Sequence, residues 1–260
     1  MTHSPRPLLE VRGLSKTYGG VGGGRHTALE DISLNLADGE TLGIVGESGS
    51  GKSTLARILM RLTSADAGDV RLEGIDVLHP DRGQSVQLTR RMQIVFQDPN
   101  SCMNPRRTVR QALTEAALVA RMGRDRVDAR VRDILDAVGL SREKLDAFPH
   151  QLSGGQRQRV AIARALAVEP KVVVADECVS ALDVSVQSAI LNLLLDLQRD
   201  RGLAYLFISH DLSVVRHMSD RIVVMKAGRV VEEGAADAVI GQPNHPYTRE
   251  LVGSIPRPRQ

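Results

Sequence analysis

The sequence is poor in aromatic residues and carries little net charge. Phe, Trp and Tyr together make up 2% of the 260 residues, and tryptophan is absent. Such a chain offers little for a surface that binds nucleic acid by stacking bases on aromatic rings. The net charge is +3, and the arginines that supply most of the positive charge are scattered, as on an ordinary solvated surface. The composition therefore argues against a nucleic-acid partner.

Cysteines and long apolar runs are scarce as well. The two cysteines, Cys102 and Cys178, lie far apart and lack the spacing of metal ligands. Their number excludes a disulfide framework and favours a reducing cytosol. No run approaches the ~20 apolar residues that a membrane-spanning helix needs. Residues 1–7 lack the apolar core of a signal peptide. We therefore expect a protein that is soluble, or that sits on a membrane only through a partner.

A glycine-rich segment fits the pattern G-x-x-x-x-G-K-[ST]. The apolar run at 40–45 predicts a buried strand before it, and the helical spacing at 53–62 predicts a helix after it. This order is the context of a phosphate-binding loop, in which backbone N–H groups and the helix N-terminus attract an anion. Lys52 supplies a charge for the β- and γ-phosphates, and Ser53 a hydroxyl for Mg²⁺; the flanks disfavour a chance glycine turn. The helix is expected to bury Leu55, Ile58, Leu59 and Leu62. The expected nucleotide-binding residues are Gly46, Glu47, Ser48, Gly49, Ser50, Gly51, Lys52, Ser53 and Thr54.

Two acidic residues, Asp176 and Glu177, follow the apolar run at 172–175. Ligands of open α/β sheets lie beyond the carboxyl ends of the strands, where both acids are expected. Asp176 can orient Mg²⁺ as the Walker-B acid of a P-loop ATPase does, and Glu177 can polarise an attacking water. An acidic pair in this position is also common at a helix N-terminus. The phosphate loop in the same chain favours the catalytic interpretation.

A second helix N-terminus is predicted at Ser153. Ser153 and Gln156 have the spacing of a capping box, and residues 157–166 continue as a helix. A well-capped helix is one interpretation. The other is a second phosphate site, because Gly154 and Gly155 allow close approach of a ligand to the helix start. The length of the motif Leu-Ser-Gly-Gly-Gln favours the phosphate site.

Strands and helices alternate along most of the chain. Strands are expected at 8–18, 28–37, 69–72, 92–96, 172–175, 204–208, 221–225 and 229–233, and helices at 82–91, 153–167, 184–199 and 212–218. A glycine-rich loop is expected at 19–26, and the turn signal at 38–39 predicts a hairpin into the strand before the phosphate loop. Helical spacing alone between 108 and 146 predicts an insertion of about three helices. The alternation implies a mostly parallel sheet covered on both faces.

Together the motifs resemble the nucleotide-binding subunit of an ABC (ATP-binding cassette) transporter over essentially the whole chain. In the family's order they are the phosphate loop, Gln97, 152–156, 176–177, 180–183 (Ser-Ala-Leu-Asp) and His210. The resemblance implies an α/β fold: a P-loop NTPase core with a mostly parallel sheet flanked by helices, an N-terminal antiparallel β layer and an inserted α-helical subdomain. It implies a single domain over 1–260, divided into a core at 1–97 and 153–234, a helical insertion at 98–152 and a C-terminal extension at 235–260.

The resemblance also implies ATP hydrolysis, with ATP and Mg²⁺ as cofactors. Tyr18 would stack on adenine, and His210 would contact the γ-phosphate; without the resemblance they are an edge tyrosine and a structural histidine. Gln97 would sense Mg²⁺ and the attacking water. The implied metal site consists of Ser53, Gln97 and Asp176, and the implied catalytic residues are Glu177, His210 and Gln97.

A head-to-tail dimer follows from the same resemblance. Ser153, Gly154, Gly155 and Gln156 would bind the nucleotide of a second ATPase subunit, which is either the same chain or a paralogue. Two integral membrane permease subunits would contact the Gln97 loop and the helical insertion. An extracytoplasmic solute-binding protein would act indirectly. The chain would then lie peripherally on the cytoplasmic face of the cell membrane.

Two segments narrow the resemblance to importers of oligopeptides, dipeptides and nickel. Residues 96–106 resemble the extended glutamine loop of this group, and 245–251, beginning His-Pro-Tyr-Thr, resemble its C-terminal segment. Cys178 stands where the family usually has proline and Cys102 where serine is common, but neither position carries the chemistry. With no cysteine cluster after residue 251, no iron–sulfur centre is expected.

The expected function is therefore hydrolysis of MgATP to drive uptake of peptides or nickel. The rival is a soluble ABC-type ATPase acting on nucleic acid or ribosomes. Relatives of that kind generally carry two cassettes or a long coiled-coil insertion, and this sequence has neither. The transported solute stays open because its binding site lies on other subunits.

Overall fold

The structure is a computed structural model that describes residues 7–19, 25–120 and 124–254. The chain forms two compact units. One consists of the described residues up to Leu88 and from Ala204 onward, and the other of Thr89–Leu203. Within the described ranges, no helix combines the length and the apolar character needed to cross a bilayer.

The first unit contains an antiparallel sheet near the N-terminus. In spatial order its strands are β2 (Arg25–Leu36), β1 (Leu9–Gly19), β4 (Ala67–Leu72) and β5 (Ile75–Asp76). Val11 of β1 lies opposite Leu34 on one side and Val70 on the other, and all three side chains are buried. The alternation of apolar and polar residues gives the sheet one covered face. The predicted antiparallel β layer is thus confirmed.

The first unit also contains the strand that leads into the phosphate loop. That strand, β3 (Thr41–Val45), is parallel to β8 (Ala204–Ile208) on one side and to β9 (Arg221–Lys226) on the other. On the far side of β9 lies β10 (Arg229–Ala235), which is antiparallel to it. Every residue of β3 and β8 is buried, as expected for parallel strands covered on both faces.

Two predictions for this unit are wrong. No hairpin joins β2 to β3, because β2 pairs with β1 whereas β3 pairs with β8 and β9, so the turn at Asp38 and Gly39 leads from one sheet into another. An alternating strand and a strand buried on both faces need different surroundings. The loop predicted at 19–26 is wrong at both ends, since Gly19 ends β1 and Arg25 begins β2. Residues 20–24 lie outside the described residues.

The helix after the phosphate loop is shorter than predicted. It is α1 (Lys52–Leu59), and Leu62, predicted to be buried, is 60% exposed. Arg61 adopts a φ of 58°, and the N–H of Leu62 donates to the carbonyl of Arg57 at 2.8 Å. These features end the helix before Leu62 can reach its buried face. The other three predicted apolar positions are buried.

The remaining helices of this unit lie in the C-terminal part of the chain. They are α7 (Leu212–Met218), α8 (Ala236–Gly241) and α9 (Pro246–Gly253), while α2 (Arg82–Arg91) leads from the first unit into the second. The bounds of α2 and α7 agree with the helices predicted at 82–91 and 212–218.

The described residues of the second unit form two parallel strands and four α-helices. They are β6 (Met92–Val95), β7 (Val172–Asp176), α3 (Val109–Val119), α4 (Arg124–Ala137), α5 (Gly154–Leu166) and α6 (Val184–Arg201). Between α4 and α5 the backbone forms only 3-10 turns, at Arg142–Asp146 and Pro149–Gln151. The described part of the stretch at 108–146, predicted to hold about three helices, thus holds two α-helices and one 3-10 turn, Arg142–Asp146.

Candidate nucleotide site

The side chain of Lys52 lies inside the loop that precedes it. Its ammonium group donates to the carbonyl oxygens of Gly46 at 2.7 Å and Glu47 at 2.8 Å, and to the hydroxyl of Ser50 at 3.2 Å. Lys52 is 5% exposed, so these oxygens compensate for the loss of water around the charge. The loop therefore holds a positive charge at the start of α1, where a phosphate group is favoured.

Two glycines of the loop occupy positions that no other residue fits. Gly46 has a φ of 152°, and a Cβ there would lie 2.1 Å from the carbonyl oxygen of Met225. Gly51 has a φ of 106°, and its Cβ would lie 2.5 Å from the carbonyl oxygen of Ala28. Gly51 is also the N-cap of α1 and has no side chain to accept from the first helical amides. The first backbone N–H groups of α1 can therefore donate to an external anion.

His210 emerges at the same sheet edge as the phosphate loop. Ile44 of β3 lies opposite Ile208 of the parallel strand β8, so both strands end at one edge. The loop follows β3, and His210 follows β8. Asp211 begins α7 by accepting from two main-chain amides at 2.8 and 3.3 Å, and the histidine before it is exposed. The first unit thus brings the phosphate loop and the predicted γ-phosphate contact together.

Tyr18 lies near the end of β1 and is 36% exposed. The ammonium of Lys16 lies 5.4 Å from the centroid of its ring. Lys16 is fixed by Asp66, whose carboxylate accepts from it at 2.9 Å and from the main-chain N–H of Thr17 at 2.7 Å. These two hydrogen bonds, that of Lys16 foremost, lower the pKa of Asp66. The strand end is therefore tied down while the ring keeps a surface on which a base can stack.

The second unit brings together Gln97 and the two predicted acids. Val95 of β6 lies opposite Ala175 of the parallel strand β7, so the residues that follow them share an edge. Gln97 is exposed, and Asp176 and Glu177 are half-buried. An amide oxygen and carboxylates at one edge form a set of hard oxygen donors, of the kind Mg²⁺ prefers.

Glu177 has an unusual backbone conformation. Its φ of 49° lies in the left-handed region, which costs a residue with a side chain about 1–2 kcal/mol. The turn is closed by Ser180, which donates to the Glu177 carbonyl from its N–H at 3.1 Å and from its hydroxyl at 2.9 Å. Strain of this kind is concentrated at functional sites. The next residue, Cys178, is buried, which raises the pKa of its thiol to about 12 and keeps it unreactive.

The predicted capping box at the start of α5 is confirmed. The hydroxyl of Ser153 accepts from the N–H of Gln156 at 3.3 Å, and the Gln156 side chain accepts from the N–H of Ser153 at 3.0 Å. Gly155 serves packing as well, because a Cβ there would lie 2.6 Å from a methyl group of Val186 at the start of α6. The side chain of Val186 therefore packs directly against the backbone of the first turn of α5 at this position.

A preformed metal cage is not part of the described chain. Across residues 7–19, 25–120 and 124–254, no group of three or more His, Cys, Asp and Glu side chains could hold a metal ion.

Tyr247 contacts the phosphate loop and was missed as a site residue. Its hydroxyl oxygen accepts a hydrogen bond from the N–H of Glu47 at 3.0 Å. The two residues are 200 positions apart, so no local pattern reports the contact. The only feature of the sequence that drew attention to Tyr247 is the segment at 245–251. That segment resembles the C-terminal part of an importer group and gave no indication of nucleotide binding.

The family model described as "ABC transporter" matches residues 29–180. The chain belongs to the ABC transporter family. It is 44% identical to the oligopeptide transport ATP-binding protein OppF of Streptococcus mutans, over 99% of this chain and 84% of that one. It is 46% identical to OppD of Mycobacterium tuberculosis and 48% identical to the glutathione import ATP-binding protein GsiA of Salmonella paratyphi A. In both cases 96% of this chain is covered, but only 42% and 41% of the relative.

Solved structures of ABC proteins share the fold. The chain superposes with a TM-score of 0.80 on cbiO1 of Clostridium perfringens, described as part of the transporter complex cbiONQ, at 31% identity over 91% of each chain. It superposes with a TM-score of 0.76 on the ATP-binding cassette MJ0796, a dimer bound to ADP and Pi in a post-hydrolysis state, at 32% identity over 88% of this chain and 98% of that one.

These comparisons confirm several predictions made from the motifs. The fold class is that of an ABC ATPase cassette, and the chain is an ATPase of this family. The resemblance to the oligopeptide and dipeptide importer group is confirmed by the relatives. The relatives give no support to an ATPase acting on nucleic acid or ribosomes.

Proposed function

We propose that this chain is the ATP-hydrolysing subunit of an importer for peptides. The observation that carries the proposal is the closed phosphate loop around Lys52, in a chain closely similar to subunits named for oligopeptide transport and glutathione import. Glutathione is itself a small peptide, so both names point to one solute class. Nickel, the other solute of the group recognised in the sequence, is the alternative that the uptake experiment below addresses.

The reaction is transfer of the γ-phosphoryl group of ATP to water. Such a reaction depends mainly on positioning and on stabilisation of phosphate charge. Lys52 and the amides at the start of α1 bind the triphosphate, and Tyr18 stacks on the adenine. Glu177 orients the attacking water and draws its proton, while His210 contacts the γ-phosphate. Gln97 senses the attacking water.

The residues present fit a magnesium ion. Ser53, Gln97 and Asp176 would hold it through a hydroxyl, an amide oxygen and a carboxylate, which are hard oxygen donors. When bound, the ion neutralises part of the phosphate charge. The chain's own contribution is to keep Asp176 at the end of a rigid buried strand, β7.

The functional unit is a dimer of ATPase subunits on two permease subunits. Ser153, Gly154, Gly155 and Gln156 bind the nucleotide held by the second ATPase subunit, which is this chain or a paralogue. The capping box uses the Ser153 oxygen as an acceptor, so its hydroxyl hydrogen can still donate to a phosphate. A solute-binding protein outside the cytoplasm delivers the peptide to the permeases, and the ATPase lies on the cytoplasmic face of the membrane.

Uptake in the source cell tests this function. The gene is deleted and then restored as the wild type or as Lys52→Ala, and uptake of labelled dipeptides, oligopeptides, glutathione and nickel is measured. Peptide uptake should be lost on deletion and recovered with the wild type alone. Loss of nickel uptake alone would exclude peptides as the solute. Normal uptake of every solute, with a defect in translation or DNA repair, would favour the rival class.

A further inference from the structure

The peptide groups on both sides of Glu47 are held. Its carbonyl oxygen accepts from the ammonium of Lys52 at 2.8 Å, and its N–H donates to the hydroxyl of Tyr247 at 3.0 Å. Glu47 thus links the lysine of the phosphate loop to a tyrosine in the last described helix, α9. A rotation of the backbone here would move an oxygen that accepts from Lys52.

Tyr247 is itself fixed from several sides. It is 2% exposed, and the ammonium of Lys226 lies 4.3 Å from the centroid of its ring. Its own N–H donates to Nδ1 of His245, the N-cap of α9. Burial raises the pKa of Tyr247, so its oxygen accepts from Glu47 as a neutral hydroxyl. The phenol is therefore a rigid acceptor rather than a mobile surface group.

The start of α9 is anchored by Glu232 of β10. One carboxylate oxygen accepts from the N–H of Asn244 at 2.8 Å and the other from the N–H of His245 at 3.0 Å. The β9–β10 turn adds a second support, because the N–H of Gly228 donates to the carbonyl of Ser50 at 3.1 Å. The C-terminal part of the first unit thus contacts the phosphate loop at two points.

We propose that Tyr247 is a positioning residue that holds Lys52 in its phosphate-binding place through the Glu47 peptide. This rests on the proposed nucleotide site. Without the phenol oxygen, a partly buried N–H loses its acceptor, and the loop gains conformations in which Lys52 is misplaced. Nucleotide binding then has to restore the order that Tyr247 provides in advance.

Tyr247→Phe tests the proposal, because it keeps the ring and the Lys226 contact but removes the acceptor. Loss of one hydrogen bond to a neutral group predicts a rise of about three- to tenfold in the Kd for MgATP and in KM, with kcat within about twofold of the wild type. Tyr205→Phe is the matched control, since Tyr205 is a buried tyrosine of the same unit, in β8. It should leave Kd unchanged even if it lowers the melting temperature.

The full-length chain is titrated with MgATP, and melting temperatures are measured with and without nucleotide. A higher Kd for Tyr247→Phe alone supports the proposal. A wild-type Kd for Tyr247→Phe, or an equal rise for both variants, overturns it. Should Tyr247→Phe fail to fold, Glu232→Gln decides in its place, since an amide has one oxygen for the two N–H groups that the carboxylate serves. A raised Kd supports the proposal, and an unchanged Kd overturns it.

Lys52→Ala separates this inference from the proposed function. If Lys52→Ala binds MgATP as the wild type does, the nucleotide site itself is assigned wrongly. If Lys52→Ala loses binding while Tyr247→Phe binds normally, only the role of Tyr247 falls.

Discussion

The ammonium of Lys52 donates to the carbonyl oxygen of Gly46 at 2.7 Å, so the lysine is held by the loop that it closes. We expect Lys52→Ala to lower ATP turnover at least about a hundredfold, because the site loses the positive charge that faces the phosphates. The fold should survive with a loss of about 1–3 kcal/mol from the unpaired carbonyls. Phosphate release and thermal melting measure the two effects. Lys144→Ala, outside the loop, is the control, and near-normal turnover of Lys52→Ala would sink the assignment.

Asp176 and Glu177 are neighbours whose loss should have different consequences. Glu177→Gln keeps size and hydrogen bonding but removes the charge that draws a proton from water, so turnover should fall by about two to four orders of magnitude. MgATP should still bind, and the ATP that is not hydrolysed should hold two subunits together in a closed dimer that light scattering detects. Asp176→Asn should instead raise the Mg²⁺ concentration needed for half-maximal turnover and give no trapped dimer.

The different roles predicted for Glu177 and Asp176 can each be contradicted by a specific result. Hydrolysis by Glu177→Gln at the wild-type rate would remove Glu177 from the mechanism. If this chain pairs only with a paralogue, that subunit is added to the light-scattering experiment. An Asp176→Asn protein with an unchanged Mg²⁺ requirement would remove Asp176 from the metal site.

The sequence predicted features that depend on neighbouring residues better than features that depend on contacts between distant parts of the chain. The Ser153–Gln156 capping box follows from spacing within one helical turn, and the structure contains it. The prediction of a hairpin into β3 was wrong, because the partners of a strand can lie far along the chain. For β3 these partners are β8 and β9. Leu62 was misplaced because the spacing of apolar residues does not show where Arg61 leaves the helix. Tyr247 reaches Glu47 through tertiary packing alone, which a sequence pattern cannot encode.

Asp66 should make stability depend on pH at the end of β1. Its pKa is lowered in the folded state, first by the hydrogen bond from Lys16 and then by that from Thr17. The carboxylate therefore stabilises the fold fully above its unfolded pKa of about 3.9, and the contribution is lost as pH falls through the lower folded value. In urea unfolding, the gap between the wild type and Asp66→Asn should narrow below about pH 4. Lys16→Met should remove most of the same dependence; a constant gap would contradict the contact.

Gly46 and Gly49 offer a test of why the phosphate loop needs glycine. Both have a positive φ, of 152° and 83°, but their surroundings differ. A Cβ on Gly46 would lie 2.1 Å from the main-chain oxygen of Met225, whereas nothing lies within 4 Å of a Cβ on Gly49. Gly49→Ala should therefore cost only the backbone strain, about 1–2 kcal/mol. Gly46→Ala should add a clash with rigid backbone, for a total of roughly 3 kcal/mol or more.

Urea unfolding without nucleotide isolates this difference, because no phosphate is present to meet the new methyl group. The Gly46→Ala midpoint should fall well below that of Gly49→Ala, with the same dependence on urea concentration for both. Since Gly46 directly precedes Glu47, a shift of its backbone to relieve the clash should also weaken MgATP binding. Equal unfolding midpoints for the two variants would show that the loop relaxes freely away from Met225. The rigid placement of Lys52 inferred from its three acceptors would then be wrong.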